Sequence, residues 1–158
     1  MGRIYTVTFE EVSISVVQDL FELYFPSSTY KALRILRQWL ECADTTLPTA
    51  IILPLRSRVL PSAVTNGSGG TSANIGKGIG DSSASFTAKA NNTTKATTTG
   101  TANIEYEGGL HVYQGHEWMF TRPPIIIGGS GDSFVFELLG APASAVKFSG
   151  GLEVEEMG

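Results

Sequence analysis

Residues 69–81 read GGTSANIGKGIGD, a run of glycines with one lysine. Such residues can cradle a phosphate, because glycine lets backbone N–H groups approach the anion and a lysine reaches its outer oxygens. The spacing does not fit that chemistry. A phosphate loop of G-x-x-x-x-G-K-[ST] type needs glycine five positions before Gly76, and that position is Thr71. Lys77 is followed by Gly78, so the hydroxyl that would hold magnesium is missing. GKGIG does not complete G-x-G-x-x-G either. A strap of small residues accounts for the stretch better than a nucleotide site.

The other chemical patterns also fall short. Residues 128–132, GGSGD, approach the nucleophile elbow G-x-S-x-G but end on Asp132, and a turn between apolar runs explains the glycines. His111 and His116, the two histidines, lie five apart and so fall on opposite faces of a regular strand. A metal site needs three or four ligands, so these are expected as polar residues near a strand end, even with Glu117 beside His116. Trp39, Trp118, Tyr106 and Tyr113 could stack on a sugar, although aromatics at strand spacing usually fill a core. Glu10 with Glu11 and Glu155 with Glu156 read as solvated carboxylates. NGS at 66–68 and NTT at 92–94 match glycosylation sequons, which a Thr/Asn-rich segment produces by chance. No enzyme and no cofactor are expected from these residues.

The elements that would position such groups are strands. The 158 residues suit one domain, and charged residues make up only 16%. Period-two alternation marks residues 4–9, 12–17 and 20–25, with a break at Pro26, Ser27 and Ser28. Residues 31–43 place Leu33, Leu36 and Leu40 at helical spacing but also fit a strand, which the neighbouring strands favour. Residues 50–60 read as a strand whose Pro54 points to an edge or a bulge. From 62 to 101, twenty-six of forty residues are Gly, Ser, Thr or Asn, with one short alternating piece at 85–90. Residues 103–120 alternate in two halves split at Gly108 and Gly109, with Trp118 and Phe120 sharing a face. Further strands are predicted at 133–139 and, in two fragments around Gly150 and Gly151, at 145–157. Eight to ten short strands with turn signals predict an all-β sandwich or barrel.

The net charge of −4 and the lack of a basic run argue against nucleic-acid binding. Arg34, Arg37, Arg56 and Arg58 form the one local basic concentration, read as solvated strand faces or as a contact for an acidic surface. Cys42 is the single cysteine, so no intrachain disulfide is possible. The first residues show no signal-peptide pattern and no apolar run is long enough to cross a membrane. The expectation is a soluble protein made in a reducing cytoplasm. Residues 62–85 alone, fully extended, could reach roughly 80 Å, so the 62–101 segment is read as a flexible loop or as an arm lying on a neighbouring subunit.

The segments RIYTVTFEEVSISVVQDLFEL, ANNTTKATTTG and FVFELLGAPASAVKFSGGLEVEEMG, in that order, resemble small structural proteins of tailed bacteriophages. LYFPSSTYKAL (23–33) is less polar than that pattern. The resemblance implies one domain over 1–158, a jelly-roll-like β-sandwich with 62–101 as a loop or arm. It implies a homotrimeric cement or decoration protein on the outer capsid surface of the virion, made in the host bacterial cytoplasm. Its partners would be its own copies and the major capsid protein, with no nucleic acid, membrane or small-molecule substrate. A receptor- or carbohydrate-binding module of a tail or fibre is the alternative. Contacts are expected on the N-terminal segment, the 62–101 region and the C-terminal acidic strand: Arg3, Tyr5, Arg56, Arg58, Ile75, Lys77, Ile79, Glu155 and Glu156.

Overall fold

The computed structural model describes residues 2–26, 29–46, 49 and 51–158; Ser27, Ser28 and Ala50, which the sequence places at a break and a strand start, fall outside these. None of the described residues is helical. The chain runs β1 (Arg3–Ile14), β2 (Gln18–Tyr24), β3 (Ala32–Cys42) and β4 (Ile52–Leu60). Five short strands follow: β5 (Val64–Thr65), β6 (Thr71–Ser72), β7 (Asn74–Lys77), β8 (Thr87–Asn92) and β9 (Thr97–Thr98). The last are β10 (Asn103–His111), β11 (His116–Met119), β12 (Ile125–Ile127), β13 (Ser133–Leu138) and β14 (Val146–Met157).

Two six-stranded antiparallel sheets form a sandwich. The first has the order β11-β3-β14-β1-β7, with β12 also on the outer side of β3; the second has the order β10-β4-β13-β2-β8-β6. Pairing is nested: β1 with β14, β2 with β13, β3 with β11 and β12, β4 with β10. Successive strands of the first half, β1 to β4, alternate between the two sheets, each beside its partner from the second half. Alternating residues such as Val7, Ile35 and Leu152 from the first sheet meet Phe21, Leu55 and Phe136 from the second in one buried core. Within residues 31–43 the strand covers Ala32–Cys42: Leu33 and Ile35 face that core, and a bulge at Leu36 shifts the phase so that Gln38 and Leu40 face it beyond.

Three predicted breaks are continuous strand. Residues 4–9 and 12–14 belong to one strand, β1, bent by a bulge between Phe9 and Val12 with Glu11 at φ 50. Val16 lies beyond its end and is exposed. Gly108 and Gly109 sit inside β10, and the real turn is at 112–115. Gly150 and Gly151 sit inside β14, where a Cβ on Gly151 would collide with the Trp39 indole. These glycines permit close approach rather than a turn. Pro54 is also not at an edge: β4 lies between β10 and β13. The β13 ladder starts at Leu55, and Leu139 N–H donates to the Pro54 carbonyl at 2.9 Å. The two polar backbone groups of one residue face the same neighbour, so the missing proline N–H falls just past that ladder's end.

Residues 62–101, expected as a loop or arm, are laid on the sandwich of their own chain. β7 pairs with β1 and β8 with β2, lengthening both sheets on the same side. β5 and β9 form a small third sheet. Val64, Ala96 and Ala102 then close a second small core over Leu60 and Val135 on the outer face of the second sheet.

Candidate interaction surface

The buried polar residues divide into two groups. One group lies beneath the 62–101 segment. β2 and β13, QDLFELY and SFVFEL, carry Gln18, Asp19, Glu22, Ser133 and Glu137 among their apolar residues, yet nearly every position in them is buried. A strand buried on both faces ordinarily lacks such polar residues, and here they serve as anchors. Glu22 accepts from Gly67 N–H at 3.0 Å and from Asn92 Nδ2 at 2.8 Å. Asp19 accepts from Ala96 N–H at 2.6 Å. Glu137, with no exposed side-chain area, takes Arg56 at 2.7 Å, Arg58 at 3.0 Å and Lys95 at 2.7 Å. Burial pushes the Asp19 carboxyl up to about 7, against the Ala96 N–H that lowers it, with Glu137 adding repulsion. Burial also raises Glu22, against the lowering Gly67 N–H. Burial would raise Glu137 too, but the hydrogen bonds from Arg56 and Lys95 and the nearby positive charges hold it below the usual carboxylate range.

The second group is a polar seam between the sheets. Ser57 Oγ–H donates to Gln38 Oε1 at 2.5 Å, which turns the Gln38 amide nitrogen towards His116 Nε2 at 3.1 Å. His116 Nε2 is thus the acceptor and its proton sits on Nδ1, 3.5 Å from the Tyr106 hydroxyl. His116 packs between Tyr106 and Phe136 at the first position of β11; the strand end is where it was expected, but it is buried and not the exposed polar residue expected there. The turn at 112–115 reverses the chain, so the five-residue spacing of the histidines does not describe one strand. Burial lowers His116 to about 4, so it is neutral at pH 7. Among the described residues, no group of three or more His, Cys, Asp or Glu side chains is placed to hold a metal.

The residues expected to touch partners separate into two sets. Arg3, Tyr5, Ile75, Lys77, Glu155 and Glu156 come together on neighbouring strands of the first sheet, with Arg3 opposite Glu156, Ile4 opposite Glu155, Tyr5 opposite Lys77 and Val7 opposite Ile75. Two of these cannot be surface contacts. Tyr5 is 1% exposed and donates its hydroxyl to the Ser82 carbonyl. Glu156 is 4% exposed and takes Lys31, the Ser85 hydroxyl and the Ser85 N–H. Both fasten the 62–101 segment to its own chain. Arg56 and Arg58 lie on the other sheet and are engaged by Glu137. Arg34 and Arg37 pair with Glu155 and Glu117, so each arginine of the basic concentration has a carboxylate partner within the chain. Arg3, Lys77 and Ile79 remain exposed.

Of the apolar residues that the fold leaves outside, the sequence singled out Trp118 as a possible stacking aromatic and Ile79 as a contact, but not Met119, Ile125 or Ile127. Trp118, Met119, Ile125 and Ile127 lie on the short strands β11 and β12 at one free edge of the first sheet. Trp118 packs against Tyr106 with ring centroids 4.8 Å apart and the planes tilted by 46°. Trp39 does not offer a free ring face, since Gly151 lies under it and the Arg37 guanidinium sits 5.1 Å over it. At the opposite edge, Ile79 is fully exposed on a turn closed by Asp81 N–H to the Gly78 carbonyl at 3.1 Å. Gly80 takes φ +88 there, the third position of a type II turn. No protein-family model, no curated protein and no solved structure matches the chain.

Proposed function

We propose that this chain is a virion structural protein of the phage-head cement type, a self-associating jelly-roll module that binds the outer capsid surface and bridges capsid subunits. The observation that carries this reading is the apolar surface at the free edges of the first sheet, Met119, Ile125 and Ile127 on one side and Ile79 on the other. Exposed apolar residues gathered on neighbouring edge strands, as Met119, Ile125 and Ile127 are, suit a contact surface. The nested strand pairing supports the jelly-roll part of the reading, since two Greek keys rolled from one hairpin give that order. The sequence resemblance to phage structural proteins supports the capsid as partner. Binding energy, not chemistry, would be the mechanism: each copy opposes the separation of the subunits it bridges, and many copies add.

The test is to add purified protein to capsids that lack it and to measure co-sedimentation and the temperature at which the shells release DNA. Saturable binding with a higher release temperature is the expected result. Absence of binding to any expanded capsid would overturn the reading. The exposed Trp118 on Tyr106 favours the second reading, a carbohydrate-binding module. Glycan-array binding lost in Trp118→Ala would establish that one instead.

A further inference from the structure

We propose that the 62–101 segment closes over a cation site of calcium type, in which Asp19, Glu22 and Asn92 supply side-chain oxygens on the outer face of the second sheet. The proposal goes beyond the capsid reading and does not depend on it.

The three residues are brought together by β2 and β8. Leu20 and Phe21 both face the core, which the irregularity in the pairing of β2 with β13 allows. Asp19 and Glu22 are therefore successive positions on the outer face. Asn92 lies opposite Asp19 in the β2–β8 ladder, and its amide donates to Glu22 Oε2 at 2.8 Å. One side chain thus adjoins both carboxylates. Asp19, Glu22 and Asn92 are 1%, 0% and 1% exposed. Each keeps one buried oxygen that accepts no hydrogen bond: Asp19 Oδ1, Glu22 Oε1 and Asn92 Oδ1. The donors that reach the cluster, Ala96 N–H, Gly67 N–H and the Asn92 amide, bind the other carboxylate oxygens.

The positive charges nearby are engaged elsewhere. Glu137, opposite Asp19 on β13, takes Arg56, Arg58 and Lys95. Those three keep 20–25% of their side chains exposed, so water screens them, whereas the carboxylates are enclosed. Lys89, opposite Glu22 on β8, donates to the Gly67 carbonyl at 3.1 Å. Lys95 and Lys89 act on Asp19 and Glu22 at longer range, and among the described residues neither carboxylate forms an ion pair.

Buried charges are ordinarily paired or coordinate a metal. Three oxygens without a donor suit a hard cation, and calcium takes carboxylate and amide oxygens alike in a flexible set of about six to eight. Zinc would call for nitrogen or sulfur ligands. The cover also suits such a site. A Cβ on Gly67 would lie 2.6 Å from the Asn92 amide nitrogen, and one on Gly70 2.7 Å from its oxygen. Glycine at both positions brings polar backbone over the cluster with no side chain to fill it.

The test uses the full chain purified in chelator. Calcium titrated at pH 8 should bind once per chain by calorimetry and raise the melting temperature as its concentration rises. Excess magnesium should not replace it, because magnesium demands a stricter octahedral shell. Asp19→Asn and Glu22→Gln each keep an oxygen for the covering N–H and remove one charge. Each should stay folded and weaken calcium binding about tenfold or more. Glu10→Gln, on the exposed bulge of β1, should leave binding unchanged. Asn92→Asp adds a charge and should make the melting temperature more dependent on calcium. Acidification from pH 8 to 6 should weaken binding, since calcium must displace the proton of Asp19, which titrates near 7 beside Glu137, Lys95 and Glu22. No thermal or calorimetric response to millimolar calcium would overturn the proposal and leave the two carboxylates to a proton or a water. Binding indifferent to Asp19→Asn and Glu22→Gln, or to that change of pH, would overturn it by placing the ion on surface carboxylates.

Discussion

Asp19 and His116 place opposite demands on pH. The folded Asp19 carboxyl titrates near 7 against 3.8 for a free side chain. The charged form is the penalised one, so stability is lowest above pH 7 and rises as pH falls from 7 towards 3.8, by on the order of 4 kcal/mol in full. The folded His116 titrates near 4 against 6.5. The unfolded chain takes up that proton first, so stability falls as pH drops from 6.5 to 4, by on the order of 3 kcal/mol. Between pH 6.5 and 4 the two effects oppose each other, so by chemical denaturation their joint contribution should be smaller than that of either group alone. Asp19→Asn should leave the histidine effect alone, with stability declining on acidification through that window. His116→Gln should leave the aspartate effect alone, with stability increasing. Parallel profiles for the two variants would show that burial of these groups does not set the pH response. Neither group was legible in the sequence as a buried one. Asp19 lies just before the strand expected over 20–25 and joins β2 only through an irregularity in its pairing with β13, and His116 follows a turn that the glycines at 108 and 109 mislocated.

At the scale of elements, the strands were legible where their apolar residues alternate, as in β1 and β13, and ambiguous in β3, where a bulge at Leu36 breaks the alternation and leaves a helical spacing of leucines. The 62–101 segment was not, because its order comes from elsewhere. Its own side chains are too small to bury much area, and its fixed points are carboxylates supplied by β2, β13 and β14. Close backbone approach is the other requirement: a Cβ on Gly70 would meet the Ala90 carbonyl, and one on Gly67 would meet the Thr94 carbonyl. Gly70→Val should therefore lift β6 from β8, seen as faster amide exchange over 66–72 and 90–94 with little change in β3 or β14. Glu137→Gln should act more widely, because it leaves Arg56, Arg58 and Lys95 facing a neutral group. Breaking a fully buried ion pair costs about 3–5 kcal/mol. Partial exposure of the three cations here reduces the expected loss to roughly 2–3 kcal/mol, measured by denaturant midpoint. An unchanged midpoint would mean that the three cations do not depend on Glu137.

For the whole molecule, the position of the segment in the rolled hairpin decides how it behaves. It joins β4 to β10, the innermost pair of the nest, and returns to cover the side where β1 and β2 would otherwise be edges. The sandwich and its covering segment should therefore unfold together, as one transition by fluorescence and circular dichroism. Limited proteolysis tests this most directly. Ile79 and the glycines beside it project beyond the strands, whereas Ala88, Ala90 and Ala96 are buried. The first cut by a protease of broad specificity should fall within 78–83. The nicked protein should stay in one piece on size exclusion, because β6 and β7 hold the N-terminal fragment and β8 the C-terminal one to the same two sheets. First cleavage within 87–98, or release of a fragment after nicking, would show that the segment is an arm resting on the surface and not a part of the fold.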